Sequence, residues 1–329
     1  MNSPRKLWIL VAIGCMFLVS CDQKKTSDVT SISESSALFI ADQGIATEAV
    51  LRAIPAAYIE KARASLHIAY QHTSHGTQVA RGMFGLPDYK EGDDVLFGIT
   101  NSAPQSGKLD FNDLALVSYA APGVDASDLS RNETAFIQAT RNFLSDEKND
   151  HINVIMWSWC NIAGHFPATN YLPGMDSLIW EYGREGSRIG SGDGKRLEPV
   201  TFIMMTGHAN LGSNTGEGNP KNQAEIILDY ARKNQLFCLD YYSIDTYDMS
   251  GNYWEDAGDD GNSDAYGGNY YLDWQNAHVP GTDWYENKTA PGGEVIFGAH
   301  NTQHITANRK AYALWWILAR IAGWDGELE

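Results

Sequence analysis

Basic residues are scarce in this chain of 329 residues: 24 Lys and Arg stand against 41 Asp and Glu, which gives a formal net charge of −17. A chain of this charge repels polyanions such as nucleic acid, and it repels anionic lipid surfaces. We therefore expect no nucleic acid and no anionic membrane surface as partners. A neutral substrate fits this charge better.

Cysteine is also rare, with four in the chain. Cys15 and Cys21 belong to the N-terminal apolar run, so Cys160 and Cys238 are the two cysteines of the expected folded part. Both lie in apolar segments, VIMWSWC and LFCLDYY. One Cys160–Cys238 disulfide and two buried thiols are equally consistent with these positions.

The chain has no apolar run long enough to cross a bilayer comfortably: the N-terminal run is too short, and no later run is as apolar for as long. In MNSPRKLWILVAIGCMFLVSC, two basic residues precede an apolar stretch of signal-peptide length, and the stretch ends in Leu18-Val19-Ser20-Cys21, which resembles a bacterial lipobox. This pattern favours a lipoprotein signal peptide over 1–20 and lipidation of Cys21, rather than an ordinary secretory signal or an uncleaved anchor. We predict a protein of the bacterial cell envelope, held at the membrane through its lipid alone.

The remainder contains no Pro/Gly linker that would divide it. Residues 21–45 are rich in Ser, Thr and charge, which is typical of a flexible tether. We predict one domain over 46–329, in which residues 246–300 form a long insertion rich in aromatic, Asp and Gly residues.

Four short apolar runs predict strands that are covered on both faces, as in a parallel sheet. Between them lie helical patterns, and the last, AYALWWILARIAGW, is apolar around most of its circumference. The alternation predicts an α/β fold, a three-layer α/β/α sandwich with a mostly parallel sheet. The four runs lie at 65–70, 152–159, 199–207 and 236–242.

Polar residues follow each run, and ligands of open α/β sheets bind beyond the carboxyl ends of the strands. We therefore expect one cluster at that edge, with substrate-binding roles for His72, His75, His208, Asn210 and Trp159. The other polar residues expected there are Ser74, Ser158, Cys160, Asn161, His165, Thr206, Asp240 and Asp245.

Three segments together resemble the SGNH hydrolase superfamily, which includes the GDSL lipases and esterases. They are HTSHG after the first run, the asparagine after VIMWSWC, and NTQHITANRKAYALWWILARIAG at the last helix. The resemblance implies a flavodoxin-like fold, Ser74 as nucleophile, Asn161 and Gly123 at the oxyanion hole, and His304 as base. Asn301 occupies the position where this family has the aspartate of its Asp-x-x-His motif.

An amide at Asn301 holds the tautomer of an imidazole but does not stabilise its cation as a carboxylate does. Three readings stay open: a Ser–His dyad, an acid supplied by Asp240, Asp245 or Asp273, or an inactive site. The aromatic rings of the insertion suggest a cleft that binds a carbohydrate. The expected function is thus that of a serine esterase that deacylates a carbohydrate, with no cofactor.

Two further functions are compatible with the sequence. One is a non-catalytic glycan-binding lipoprotein on the same fold. The other is a metal-dependent hydrolase that uses His72, His75 and His208, although no HExxH or comparable spacing supports it, so no metal ligand is assigned. The acidic stretch Asp256–Asp264 misses the EF-hand pattern and predicts a solvated loop rather than a calcium site.

Overall fold

The computed structural model describes residues 39–327. Seven strands form one sheet in the spatial order β1-β7-β6-β5-β2-β4-β3, and every neighbouring pair is parallel. The strands are β1 (Ile40–Ala41), β2 (His67–Gln71), β3 (Ile99–Asn101), β4 (Leu109–Asp113), β5 (Val154–Trp157), β6 (Thr201–Met205) and β7 (Cys238–Leu239). A separate antiparallel pair, β8 (Asn262–Ser263) and β9 (Gly268–Asn269), lies in the predicted insertion.

Ten α-helices are present in the described part of the chain. Those before β6 are α1 (Glu48–Ala53), α2 (Ala56–Ser65), α3 (Thr77–Gly85), α4 (Asp93–Leu96), α5 (Ala135–Leu144) and α6 (Leu172–Tyr182). Those after it are α7 (Pro220–Asn234), α8 (Tyr241–Thr246), α9 (Tyr270–Asn276) and α10 (His304–Ile321).

Helices cover both faces of the sheet, because side chains at alternate strand positions point to opposite faces. Ile68 and Tyr70 of β2 pack with α1, α2, α3 and α10 in one core. Ala69 of β2 and Ile155 of β5 pack with α5, α6 and α7 in the other. The fold is therefore a three-layer α/β/α sandwich, and the predicted fold class is confirmed.

The last helix is buried along almost its whole length, as its apolar sequence predicted. Every residue of α10 from His304 to Ala319 is buried, including the charged Arg309 and Lys310. Burial of Lys310 is compensated by Asp245, whose Oδ1 lies 2.7 Å from Lys310 Nζ. An unpaired ammonium at this depth would cost several kcal/mol, on the order of 3–5.

Two sequence predictions about the fold need correction. The predicted tether over 21–45 runs into the domain, because Ile40–Ala41 forms the edge strand β1 beside β7. Strands β3 and β4 were not predicted, because ITN and LDFND mix polar with apolar residues and are not continuous apolar runs. The predicted signal peptide and Cys21 lie outside the described residues. Among the residues described, no helix has the length and apolarity needed to cross a membrane.

Candidate metal centre

The carboxyl ends of β2, β5, β6 and β7 meet at one edge of the sheet, as parallel topology requires. The turn after β2 carries His75, the segment after β5 carries Cys160, and the segment after β6 carries His208. Asp259 reaches the same edge from the insertion. These four side chains form the candidate centre.

The geometry of the centre brings three metal-ligating groups together. One ligand atom from each of His75, His208 and Asp259 lies within 4.8 Å of the other two. His75 Nε2 is 3.3 Å from Asp259 Oδ2, and the rings of His75 and His208 stack with 3.5 Å between centroids. Two ligand atoms that are each about 2.0–2.1 Å from a tetrahedral metal are roughly 3.3 Å apart. The observed separation between His75 and Asp259 equals that value.

The centre holds a buried imidazole lone pair that has no donor facing it. His208 Nδ1 is 2.7 Å from the carbonyl oxygen of Ala209, so the neutral ring donates there and carries its lone pair on Nε2. His208 Nε2 is buried and has no hydrogen-bond partner in the described chain, and the buried Asp259 Oδ2 faces His75 Nε2 alone, as an ion pair over 3.3 Å. A buried polar atom of this kind normally has a partner, and a bound cation or a proton would provide one for His208 Nε2.

A second layer of contacts holds the two imidazoles. The hydrogen bond to the Ala209 carbonyl fixes the orientation of the His208 ring, and the Ala209 N–H donates to Asp245 Oδ2 over 3.2 Å. On the other ring, His75 Nδ1 lies 3.7 Å from Cys160 Sγ. Histidines that ligate metals typically use their second nitrogen in this way, which fixes tautomer and ring orientation.

The protonation properties of the centre follow from burial and mutual charge. Burial by itself lowers the pKa of His75, but the Asp259 carboxylate and then the Cys160 thiol raise it to about 9. Burial and the neighbouring His75 lower the pKa of His208 to about 4. Burial raises the pKa of the Asp259 carboxyl, but the hydrogen bond and the charge of His75 lower it by more. The pKa therefore falls below its usual range. His208 is therefore neutral at pH 7, the state that ligates metals, whereas an ion that binds His75 has to displace the proton of that imidazole.

Asp259 comes from the acidic stretch for which the sequence predicted a solvated loop. That stretch is ordered by its own hydrogen bonds: Asp256 Oδ1 accepts from Ser263 Oγ over 2.7 Å, and Asp260 Oδ1 accepts the Asn262 N–H over 3.0 Å. The carboxylate between them, Asp259, is left to face His75. The short spacing of oxygen ligands was a usable signal, but the partners lie far away in sequence.

His300 is a second residue of the centre that sequence analysis did not select. The exposed His300 ring stacks on His75 with 4.1 Å between centroids. His300 has φ 56° and Asn301 has φ 62°, so two consecutive residues without a glycine lie in the left-handed region. This conformation costs about 1–2 kcal/mol per residue. Strain of this kind tends to be retained at functional sites.

Ser74 lies near the centre in sequence, but the structure gives it no base. It is half-buried and lines a cavity of about 530 Å³ with His72, Arg81 and Asp113. Both nitrogens of His72 are engaged, Nε2 at 2.7 Å from Asp113 Oδ1 and Nδ1 at 3.0 Å from the Thr73 carbonyl oxygen. Ser74 Oγ makes no hydrogen bond to any residue that the structure describes. His72 likewise does not join the metal-ligating group.

The predicted base, His304, faces elsewhere. It is buried between Trp284 and Phe297, and its Nδ1 accepts the Asn287 N–H over 3.0 Å. A neutral ring in this arrangement carries its proton on Nε2, whereas a catalytic base needs Nε2 free. Burial lowers the pKa of His304. Asn301 is exposed and makes no hydrogen bond to His304, so the predicted orienting pair does not form.

Of the four remaining residues that the sequence assigned to the site, two meet at this edge and two do not take their predicted roles. Asn161 and Asn210 are joined, since Asn161 Oδ1 accepts from Asn210 Nδ2 over 3.3 Å. Trp159 is buried against Tyr171 in the core and is not available to a substrate. Gly123 is exposed, with φ 77° and open space around its Cα, so a tight turn explains this glycine without an oxyanion role.

The aromatic insertion packs on itself and on α10. The rings of Tyr270 and Tyr271 are buried and form a small core with Ile305, so neither can stack on a sugar. Trp254 and Trp274 are packed against this core and are partly buried. The insertion is therefore a structured cap that supplies Asp259, and its buried rings do not line a glycan cleft.

The two cysteines of the domain are free thiols, which excludes the disulfide. Cys238 is buried, whereas Cys160 is half-buried at the centre. The hydrogen bond to His75 lowers the pKa of the Cys160 thiol against the opposing effect of burial. Cys160, His75 and Asp259 thus also stand in the order nucleophile, base and acid.

Comparisons of the chain with protein-family models, with curated proteins and with solved structures found no match. The fold and the site define an α/β/α protein with a candidate metal centre at the carboxyl edge of its sheet. The resemblance to SGNH hydrolases stays a prediction, and the arguments for function rest on the geometry above.

Proposed function

We propose that the protein is a metal-dependent hydrolase in which His75, His208 and Asp259 bind a divalent ion such as Zn²⁺. The observation that carries the proposal is the convergence of three ligand atoms, one of which, the buried His208 Nε2, has no hydrogen-bond partner in the described chain. Three protein ligands leave one coordination position for water, as in catalytic zinc sites. A zinc-bound water loses its proton near pH 7 and becomes a nucleophile.

The reaction that fits this centre is hydrolysis of an ester of a neutral substrate. An ion held by His75, His208 and Asp259 would supply a hydroxide as nucleophile for the carbonyl carbon, and hydrolysis would cleave the acyl–oxygen bond. The leaving alkoxide takes up one proton. We assign delivery of that proton to His300, because its exposed ring stacks on the ligand His75 at the rim of the centre. An acylated carbohydrate remains a candidate substrate, without support from the buried rings of the insertion.

A second candidate function uses the thiol. Cys160 Sγ lies 3.7 Å from His75 Nδ1 and His75 Nε2 lies 3.3 Å from Asp259, which is the order of a Cys–His–Asp hydrolase. This function also needs free N–H groups beside the thiol to stabilise an oxyanion. The N–H groups of Cys160 and Asn161 both donate to Ser130 Oγ over 2.9 Å and are therefore already used.

The test is turnover of p-nitrophenyl acetate by the purified chain, before and after removal of metal with a chelator. We expect chelation to abolish activity, Zn²⁺ to restore it, and His208→Ala to lower kcat/KM by at least ~100-fold. His278→Ala is the matched control, since this histidine stacks on Trp274 outside the centre.

Two further variants separate the rival nucleophiles. If activity survives the chelator and disappears in Cys160→Ser, the nucleophile is the Cys160 thiol and not a metal-bound hydroxide. Activity that survives the chelator and disappears in Ser74→Ala would restore the serine esterase implied by the SGNH resemblance. If the chain shows no turnover with or without added metal, and oligosaccharides bind, the glycan-binding alternative is favoured.

We further propose that the hydrolase is a lipoprotein of the bacterial envelope, anchored through Cys21. The lipobox-like sequence LVSC supports this proposal. Metabolic labelling with a palmitate analogue tests it: wild type should be labelled and Cys21→Ser should not. Equal labelling of both proteins would exclude Cys21 as the acylated residue.

A further inference from the structure

A second group of metal-ligating side chains lies at the opposite, amino-terminal edge of the sheet. His67 is the first residue of β2, and its register partner in β4 is Asp110. His151 lies in the turn just before β5. We propose that His67, Asp110 and His151 form a binding site for a divalent transition metal, Zn²⁺ in the first place. This site shares no residue with the proposed catalytic centre.

The distances suit a metal ion bound between these groups. Asp110 Oδ2 lies 3.0 Å from His67 Nδ1 and 3.6 Å from His151 Nε2. These values lie on either side of the roughly 3.3 Å that separates two ligands of a tetrahedral zinc ion. The two rings meet edge to face with 5.4 Å between centroids. Two imidazole nitrogens and a carboxylate oxygen form a donor set that zinc prefers.

Asp110 supplies the second observation that points to a ligand. Its side chain is only 2 % exposed, and its Oδ1 is buried with no hydrogen-bond partner in the described chain. Within residues 39–327, its ion-pair partners are the two imidazoles. A proton on His67 would satisfy Oδ2 alone, leaving Oδ1 and His151 Nε2 unpaired. A divalent ion neutralises the whole carboxylate and takes both imidazoles as ligands.

The position of the site indicates a structural role. His67 and His151 are 30 % and 41 % exposed, so an ion can enter from solution and keep water in its remaining coordination position. The ion would join β2, β4 and the turn before β5. At this edge β2 pairs with β4, and the Asn153 N–H just before β5 donates to the His67 carbonyl of β2. A ligand that binds only the native state stabilises it by mass action.

Equilibrium dialysis of the tag-free full chain against Zn²⁺ tests the inference, with zinc counted per chain. We expect two ions in wild type, one in His151→Ala and one in His208→Ala. His151 is the residue to change, because it is exposed in a turn and its loss leaves the strands intact. His67→Ala serves as the second variant, and His278→Ala, which should keep two ions, is the matched control.

The outcomes separate this site from the catalytic centre. Equal zinc content in wild type, His151→Ala and His67→Ala would overturn the inference. A single ion that is lost in His208→Ala would overturn it as well, while leaving the proposed function intact. A single ion that is lost in His151→Ala and His67→Ala would support the inference and remove the catalytic metal. Zinc should also raise the Tm of His208→Ala but not that of the double variant with His151→Ala.

Discussion

Buried carboxylates at the carboxyl edge differ in what compensates their charge. Asp259 and Asp245 face His75 and Lys310, whereas Asp240 is fully buried with hydroxyl and amide donors only. Burial raises the pKa of Asp240 to about 6, against hydrogen bonds from Ser243 and Thr206. Asp240 is the N-cap of α8, so its side-chain oxygen is needed as a hydrogen-bond acceptor, but its buried negative charge destabilises the folded state.

This cost predicts a pH-dependent stability. The pKa of Asp240 is higher in the folded state than the ~3.9 of an unfolded aspartate, so its contribution is fully present below pH ~4 and is lost as pH rises through ~6. Asp240→Asn keeps the acceptor oxygen and removes the titration. We expect the free energy of unfolding to fall by about 3 kcal/mol less between pH 4 and 7 in Asp240→Asn than in wild type.

Urea denaturation at several pH values measures this difference. The exposed Asp229→Asn is the control and should keep the wild-type slope. If Asp240→Asn and wild type lose stability in parallel over this range, the carboxyl of Asp240 is not buried as described.

At the scale of elements, the turn from β2 into α3 is positioned by the packing of α3 on α10. A Cβ atom on Gly82 of α3 would lie 2.1 Å from the Ala307 carbonyl oxygen of α10. The two helices therefore approach each other through the missing side chain of Gly82. Because α3 follows His75 directly, this contact also fixes the imidazole at the centre.

Gly82→Ala should therefore destabilise the protein although alanine is the better helix former. Helix propensity alone favours the alanine variant by about 1 kcal/mol, whereas overpacking costs about 1–3 kcal/mol or more when the contact is with backbone. We expect a net loss of at least ~1 kcal/mol in the free energy of unfolding, measured by denaturant titration. A more stable Gly82→Ala variant would show that α3 and α10 are not in backbone contact.

The elements that the sequence could predict are those whose pattern of apolar residues matches their burial along the whole element. VIMW and TFIMM are continuous apolar runs because β5 and β6 are covered on both faces, and AYALWWILARIAG reflects the burial of α10. Strand β4 is hidden because LDFND places Asp110 at the sheet's amino-terminal edge. Ser130 and Glu133 have the spacing of a capping box, but Glu133 binds His165 and the Phe166 N–H instead.

The candidate site was predictable only in its location. Parallel topology places His75, Cys160 and His208 at one edge, and the sequence order of the strands is enough to see it. The partner Asp259 depends on how a loop folds over that edge. The presence of His300 rather than His304 at the centre depends on two left-handed residues, His300 and Asn301, that no periodicity reveals.

At the scale of the whole molecule, the domain includes residues that composition assigned to the tether. Cys238 N–H donates to the Phe39 carbonyl and Asp240 N–H donates to the Ala41 carbonyl, each over 2.9 Å. The buried guanidinium of Arg309 donates to the carbonyl oxygens of Gln43 and Ala46. The first strand therefore closes the β7 edge of the sheet and satisfies a charge inside α10.

A chain that begins at residue 46 should consequently be much less stable than one that begins at residue 36. The shorter chain exposes the edge of β7, loses the burial of Ile40 and leaves two N–H groups and part of the Arg309 guanidinium without acceptors. Burial of one such side chain contributes about 1.5–3 kcal/mol, and each unsatisfied buried group costs about 1–3 kcal/mol. We expect a loss of at least ~3 kcal/mol by urea denaturation, with the chain from residue 36 matching the full-length protein. Equal stability of the two truncated chains would place Ile40–Ala41 outside the cooperative fold and return the boundary to residue 46.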